Sequence, residues 1–172
     1  MRLEDDAIVL RPLEEDDAPA LAAAIGDDPD LDRWTSIPFP YTEELAREFI
    51  ATTEESAFAV LDRASGELLG GIGVRTRGAG KVEVGYWVKA GTRGRGVASR
   101  ALTLVARHAL ADLGAARVQL TAEPENVASH RVAEKAGFTR EGTLRSYLEI
   151  KGRRRDAVMF SLLPGDLDPL PT

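Results

Sequence analysis

The stretch Lys89-Ala90-Gly91-Thr92-Arg93-Gly94-Arg95-Gly96-Val97-Ala98 is glycine-rich and leads directly into an apolar periodic segment. Glycines let a backbone turn its N–H groups inward, and a helix start adds a partial positive charge, so an anion there meets both donors and field. A phosphate is the natural guest. Arg93 and Arg95 strengthen that reading, although arginines beside a glycine turn can equally stand exposed. Two rival phosphate loops fail on the same residues. A dinucleotide site wants G-x-G-x-x-G after a strand, and Ser99 stands where its third glycine should be; a Walker-type loop needs Gly-Lys followed by Ser or Thr, which is absent.

Such a turn needs a strand before it and a helix after it. From Ala57 to Lys89 the apolar pattern has period two, with Ala64-Ser65-Gly66 and Arg77-Gly78-Ala79-Gly80 as turns, which predicts an antiparallel meander of three strands. On the third strand Val82, Val84, Tyr86 and Val88 face one way and Glu83, Gly85 and Trp87 the other. Ala98, Ala101, Leu102, Val105, Ala109 and Leu113 then keep to one helical stripe that Gly114 closes. Arg117 to Ala122 reads as the next strand. A further helix starts near Asn126 and ends at Gly137, with Phe138 as the hydrophobic anchor of a left-handed cap. Before the meander, Ile8 to Leu13 reads as a strand and Ala18 to Ile25 as a helix. Pro29, Pro38 and Pro40 mark a loop carrying Trp34, Ile37, Phe39 and Tyr41, and Thr42 caps a helix burying Leu45, Phe49 and Ile50. That aromatic loop is either a pocket wall or a cover on the core. Thr143 to Ile150 and Ala157 to Leu163 form a final hairpin. The order βααβββαβαββ predicts an α/β fold of the α+β type, a mixed sheet with helices on its faces, and a right-handed crossover over residues 81 to 122.

At 172 residues and 44% hydrophobic content the chain is the size of one domain, with a core over 7–163 and an irregular tail over 164–172. The formal charge of −6 argues against nucleic acid and acidic membranes as partners and favours a cationic one. Arg153-Arg154-Arg155 reads as a solvated hairpin turn, and Asp27, Asp28, Asp30 and Asp32 either attract an amine or simply form a turn. No apolar run reaches the roughly eighteen residues a membrane helix needs, and the acidic N-terminal stretch does not resemble a signal peptide, so a cytoplasmic protein is expected. With no cysteine and only His108 and His130, disulfides, thiolate chemistry and a multi-histidine metal site are not expected.

Arg93-Gly94-Arg95-Gly96-Val97-Ala98 resembles the pyrophosphate-binding signature of the GNAT acetyltransferases: glutamine or arginine, two residues, glycine, one residue, then glycine or alanine. Asn126-Val127-Ala128-Ser129-His130-Arg131-Val132-Ala133-Glu134-Lys135-Ala136-Gly137-Phe138 is similar to the second block of the branch that includes RimJ and RimL, N-terminal acetyltransferases of ribosomal proteins. So are Leu10-Arg11-Pro12-Leu13, Val84-Gly85-Tyr86-Trp87-Val88 and Glu141-Gly142-Thr143-Leu144-Arg145. The five matches fall in order over most of the chain. The resemblance implies a splayed sheet with acetyl-coenzyme A wedged between the strand ending near Val88 and the one ending near Ala122. Val88 would offer main-chain groups to the pantetheine arm, and Arg93, Gly94, Arg95, Gly96, Val97, Ala98 and Ser99 would hold the pyrophosphate, with Asn126 also at the cofactor.

Acetyl transfer to an amine by direct attack through a tetrahedral intermediate needs a neutral nucleophile, a stabilised oxyanion and a proton for the departing thiolate. An α-amine with a pKa of about 8 is about one-tenth neutral at pH 7, so a modest base or a water relay suffices. The resemblance points to Glu83 as that base; the plain alternative is a solvent-facing strand residue. A thiol of pKa about 8.5 leaves readily, and a hydroxyl need only assist. The counterpart of Ser129 in RimL-like enzymes is regarded as this acid, many other relatives using a tyrosine for which Tyr147 lies late; the plain reading of Asn126 and Ser129 is helix capping. A backbone N–H near Val88 is expected to hold the oxyanion. Trp34, Tyr41, Trp87 and Tyr147 are the candidate acceptor-binding residues. The acceptor is a protein N-terminal α-amine, such as that of a ribosomal protein, or a small-molecule amine, and the enzyme is a monomer or homodimer. A non-catalytic coenzyme A or nucleotide sensor, and a dinucleotide-dependent oxidoreductase, are the alternatives.

Overall fold

In the computed structural model, residues 2–53 and 56–167 are described. Hydrogen bonds join the strands into one eight-stranded sheet in the order β1-β2-β3-β4-β5-β6-β8-β7. These are β1 (Leu3–Glu4), β2 (Ile8–Pro12), β3 (Ala57–Asp62), β4 (Leu68–Thr76), β5 (Lys81–Val88), β6 (Arg117–Ala122), β7 (Thr139–Ile150) and β8 (Arg153–Leu162), mostly antiparallel. Between them lie α1 (Ala18–Ile25), α2 (Pro29–Trp34), α3 (Glu43–Thr52), α4 (Val97–Arg107) and α5 (Val127–Lys135). The chain divides into two compact units, Met1–Gly73 with Tyr86–Ala101, and Val74–Gly85 with Leu102–Thr172.

In the first unit β2 pairs antiparallel with β3 from Ile8↔Asp62 to Pro12↔Phe58, and β3 with β4 from Ala57↔Gly73 to Leu61↔Leu68. Leu21 and Ile25 of α1, Leu31 of α2, Tyr41, Ala46 of α3, Ala59 and Leu68 close a buried core against which Trp87 packs. Helix starts follow local chemistry. Thr42 accepts the Leu45 N–H at 3.3 Å, as its position before an apolar run predicts. Ahead of α1, Arg11 forks onto Asp17 at 2.7 and 2.8 Å. Burial pushes the Asp17 carboxyl up, but the Arg11 bonds and the Glu14 N–H outweigh it and hold the group below its ordinary value. The loop expected around Trp34 is partly helical: Asp28 accepts from the Asp30 and Leu31 N–H groups and Pro29 occupies the first helical position, so α2 forms there.

In the second unit β5 and β6 run parallel, pairing Lys81↔Arg117, Val82↔Val118 and Glu83↔Gln119. Beyond Gln119, β6 continues against β8, through Leu120↔Phe160 and Ala122↔Val158. Val118, Leu120, Ala122, Val158 and Phe160 are all buried. α5 ends as its sequence predicts: Gly137 has φ 85° and the buried Phe138 sends its N–H back to the Ala133 carbonyl at 3.0 Å. After α4 a wide turn over His108–Asp112 precedes Gly114. The final hairpin turns at Lys151-Gly152, so Arg153, Arg154 and Arg155 lie on β8, not in the turn as expected. β7 begins at Thr139, earlier than its pattern suggests, because register shifts between Arg140 and Gly142 and between Leu144 and Leu148 break the alternation. Of the tail, Pro164–Asp166 is a short 3₁₀ turn, and residues 168–172 lie outside the described residues. Among the described residues no helix is long and apolar enough to cross a membrane.

Candidate active site

After β5 the chain is pinned before it turns. Lys89 donates its N–H to the Leu69 carbonyl at 2.9 Å, and the buried Thr92 hydroxyl lies 3.1 Å from the same carbonyl and 3.0 Å from that of Lys89. Gly94 and Gly96 follow at φ 78° and 81°, a region costly for any residue with a Cβ. α4 then starts at Val97, and the Arg100 N–H reaches the Gly96 carbonyl at 3.0 Å, so Val97 and Ala98 precede the helix's own ladder. The Ser99 hydroxyl bonds the Gly96 carbonyl at 3.0 Å and tightens the first turn. A Cβ built on Gly94 would meet nothing within 4 Å. Open space at Gly94, between a left-handed turn and a helix start, fits a diphosphate.

The two arginines of this turn do different things. Arg93 donates through Nε to the Val88 carbonyl at 3.1 Å, through Nη1 to Asp30 at 2.8 Å, and through Nη2 to Asp28. Its guanidinium is therefore committed to the protein, and what it leaves for a phosphate is backbone. Arg95 is exposed, and among the described residues no carboxylate pairs with it. Of the four aspartates read as either an amine lure or a turn, Asp28 is thus a helix cap and, with Asp30, an arginine clamp.

The second group of candidates lies in the second unit. Glu83 is 20% exposed and accepts from Arg77 Nη2 at 2.7 Å. Because Glu83 registers with Gln119 in a parallel pair, and side chains two apart share a face, Glu83, Arg117, Gln119 and Thr121 stand on one side of the sheet, and Glu123 follows where β6 ends. Direct bonds agree: Arg117 Nε reaches Gln119 at 2.9 Å, Arg117 Nη1 reaches Glu141 at 2.7 Å, and the Ser161 hydroxyl reaches Glu141 at 2.7 Å. Arg117 and Ser161 hold the Glu141 carboxyl down at about 2. Asn126 caps α5 by accepting the Ser129 N–H at 3.1 Å, which places the half-buried Ser129 in the first turn. His130 is half-buried: its Nε2 lies 3.0 Å from the Glu123 carbonyl and its ring sits 5.4 Å from that of Phe160.

The aromatic candidates are dispersed. Tyr41 is buried in the first unit's core, which raises its phenol above the ordinary range, and Trp87 packs on the same core. Trp34 closes α2 under the Arg33 guanidinium, 4.3 Å above its ring. Tyr147 is exposed on β7. One residue was missed altogether. Glu123, just past β6, is 4% exposed, with Arg155 Nη1 at 3.2 Å from Oε2. The string Ala122-Glu123-Pro124-Glu125-Asn126 reads as a solvated turn, and no local signal announces a buried carboxylate.

Residues 7–139 match the family described as acetyltransferase (GNAT) domain. The uncharacterized N-acetyltransferase p20 of Bacillus licheniformis is 29% identical over 171 residues, covering 94% of this chain and 95% of the relative. Among solved structures, Mycobacterium smegmatis RimJ in complex with CoA-disulfide aligns with a TM-score of 0.83 at 24% identity, covering 98% of this chain and 88% of the other. The ribosomal-protein-S5-alanine acetyltransferase of Vibrio fischeri aligns at 0.82 with 21% identity, covering 98% and 100%. At those identities the two structures speak for the fold. With the family match over most of the chain and the anion turn at the start of α4, the protein belongs to the GNAT acetyltransferases and is an acetyl-coenzyme A-dependent N-acetyltransferase.

Proposed function

We propose that this chain acetylates the α-amine of a peptide N-terminus, such as that of a ribosomal protein, or a small molecule presenting the same group, by direct attack of the neutral amine. The observation that carries the reading is the left-handed pair Gly94 and Gly96 ahead of α4, open at Gly94, which suits the diphosphate of acetyl-coenzyme A. In this reading the backbone from Arg93 to Ser99 holds the diphosphate and Arg95 supplies the cation. Val88 offers main-chain groups and Asn126 fixes the start of α5. The cofactor contributes an activated acyl thioester. Glu83 takes the amine's proton and Ser129 assists the departing sulfur with its hydroxyl. Trp34, Tyr41, Trp87 and Tyr147 are the residues assigned to the acceptor. A peptide acceptor is supported by the name of the Vibrio fischeri neighbour, and an amine by the formal charge of −6.

The test is free-thiol release from acetyl-coenzyme A over a panel of peptides beginning with alanine, serine or threonine, free amino acids, polyamines and aminoglycosides. Turnover confined to the α-amines is expected. Coenzyme A binding with no turnover on any amine would instead make the chain a sensor.

A further inference from the structure

Glu123 carries a feature the roles above leave unused. Its carboxylate is buried, and among the described residues no hydrogen-bond partner reaches Oε1. Oε2 is held by a single guanidinium, Arg155 at 3.2 Å, whose own side chain is 39% exposed. The carbonyl of the same residue is doubly engaged, accepting from the Asn126 N–H at 3.0 Å and lying 3.0 Å from His130 Nε2. The backbone is therefore fixed while half of the carboxylate is bare. A buried acceptor without a donor is costly, more so when charged, and a protein keeps such a group where something else supplies the donor.

The placement says what that donor is. Glu123 follows directly on β6, whose Gln119 and Thr121 share a face with Glu83, and it stands three residues before Asn126, at the entrance to the helix that carries Ser129. The other carboxylates of this face are already engaged: Glu83 with Arg77 at 2.7 Å, and Glu141 with Arg117 and Ser161. Glu123 Oε1 is, among the described residues, the buried side-chain oxygen that has no hydrogen-bond partner. The charged or titratable groups that meet it are Arg155 from β8 and, at its main chain, His130 from α5. With one oxygen on Arg155, a second cationic donor at Oε1 would complete an arrangement in which one carboxylate bridges two cations.

Building on the amine-acceptor reading, we propose that Glu123 Oε1 binds the acceptor, taking a hydrogen bond from its ammonium or amine N–H. Because that oxygen is buried, the side chain must turn about its Arg155 contact when the acceptor binds. Glu123 then selects acceptors with N–H donors and holds them beside the start of α5, without itself acting on the cofactor.

Glu123→Gln is the deciding variant, since it keeps the shape and one acceptor for Arg155 but turns an amide N–H toward the ligand. With an alanine-initiated hexapeptide, its KM for the peptide is expected to rise about tenfold or more while KM for acetyl-coenzyme A stays within about twofold. Calorimetry of the same peptide with protein saturated with free coenzyme A, which cannot react, is expected to show the same weakening. Unchanged peptide KM, or equal loss for peptide and cofactor with a lowered Tm, overturns the proposal and leaves Glu123 a brace for Arg155. Should Glu123→Gln not fold, Glu123→Asp keeps the charge on a shorter arm and must raise the peptide KM selectively. If the unaltered protein turns over no amine at all, the acceptor reading fails first and takes this one with it, a result visible before any variant is made.

Discussion

Arg93 ties Asp28 to the turn in front of α4: its Nη2 donates to the Asp28 carboxylate while its Nε holds the Val88 carbonyl at 3.1 Å. Asp28 is 7% exposed at its side chain and also caps α2, so one guanidinium secures the end of β5 and the start of a helix sixty-odd residues away in sequence. Arg93→Gln leaves Asp28 a buried carboxylate without its cation, and the protein is expected to lose about 1–3 kcal/mol in urea unfolding. Coenzyme A affinity should fall with it, since the turn loses its anchor. Arg95→Gln, an exposed change, should weaken coenzyme A binding with little effect on unfolding, and an equal stability loss in both variants would refute the division of labour.

Gly70 is another position where the end of β5 is set by contact. A Cβ there would lie 2.3 Å from the Trp87 carbonyl oxygen and 3.1 Å from the Val88 Cα, both backbone atoms that no rotamer change can move aside. Gly70→Ala is expected to cost about 1–3 kcal/mol or more by overpacking, and to reduce coenzyme A binding by displacing Val88. Gly66→Ala, with nothing within 4 Å but φ 74°, should cost only the backbone term of about 1–2 kcal/mol and leave binding intact. Thermal unfolding and calorimetry on the two variants check both statements.

Glu141 makes stability depend on acid. Its carboxyl is held at about 2 in the folded protein against an ordinary 4.5, because Arg117 and Ser161 bond the ionised form. A depressed carboxyl stabilises the fold above the unfolded value and loses that contribution as pH falls from about 4.5 toward about 2. The side chain is 39% exposed, so solvent screening keeps the effect modest. Glu141→Gln should lower Tm at pH 7, and the gap from the unaltered protein should narrow as the pH falls from about 4.5 toward about 2. A gap independent of pH would mean that packing, not charge, holds this pair.

What could be read in the sequence is what is decided locally. The meander, the glycine turn, the Asn126 cap and the Gly137-Phe138 ending each depend on residues within a few positions, and all are found where the pattern puts them. α2 was missed although Asp28-Pro29 is a good cap followed by a good first residue, because three prolines made the segment look like loop. In the sequence the Arg93 side chain reads as a phosphate ligand, since nothing near it reveals that its partners are Asp28 and Asp30. Burial of Glu123 is set by β8, through Arg155, and Tyr41 is drawn into a core assembled from α1, α2 and α3. Charges and aromatics take their meaning from tertiary neighbours, which periodicity does not report.

Ser129 and Asn126 can be separated because one residue's side chain bonds the other's backbone. Asn126 Oδ1 accepts the Ser129 N–H at 3.1 Å, so the cap is Asn126, and the Ser129 hydroxyl takes no part in that bond. Asn126→Ala should therefore cost about 1 kcal/mol of stability through a lost cap and loosen the turn that Glu123 also closes. Ser129→Ala should lower kcat by a larger factor than it weakens coenzyme A affinity. The loss in kcat is expected to be smaller with an acetyl donor whose thiol leaves more easily, since a better leaving group needs less help from a proton donor. If Ser129→Ala instead weakens coenzyme A binding and kcat alike, or the loss ignores the leaving group, the hydroxyl serves the helix start and the proton comes from elsewhere.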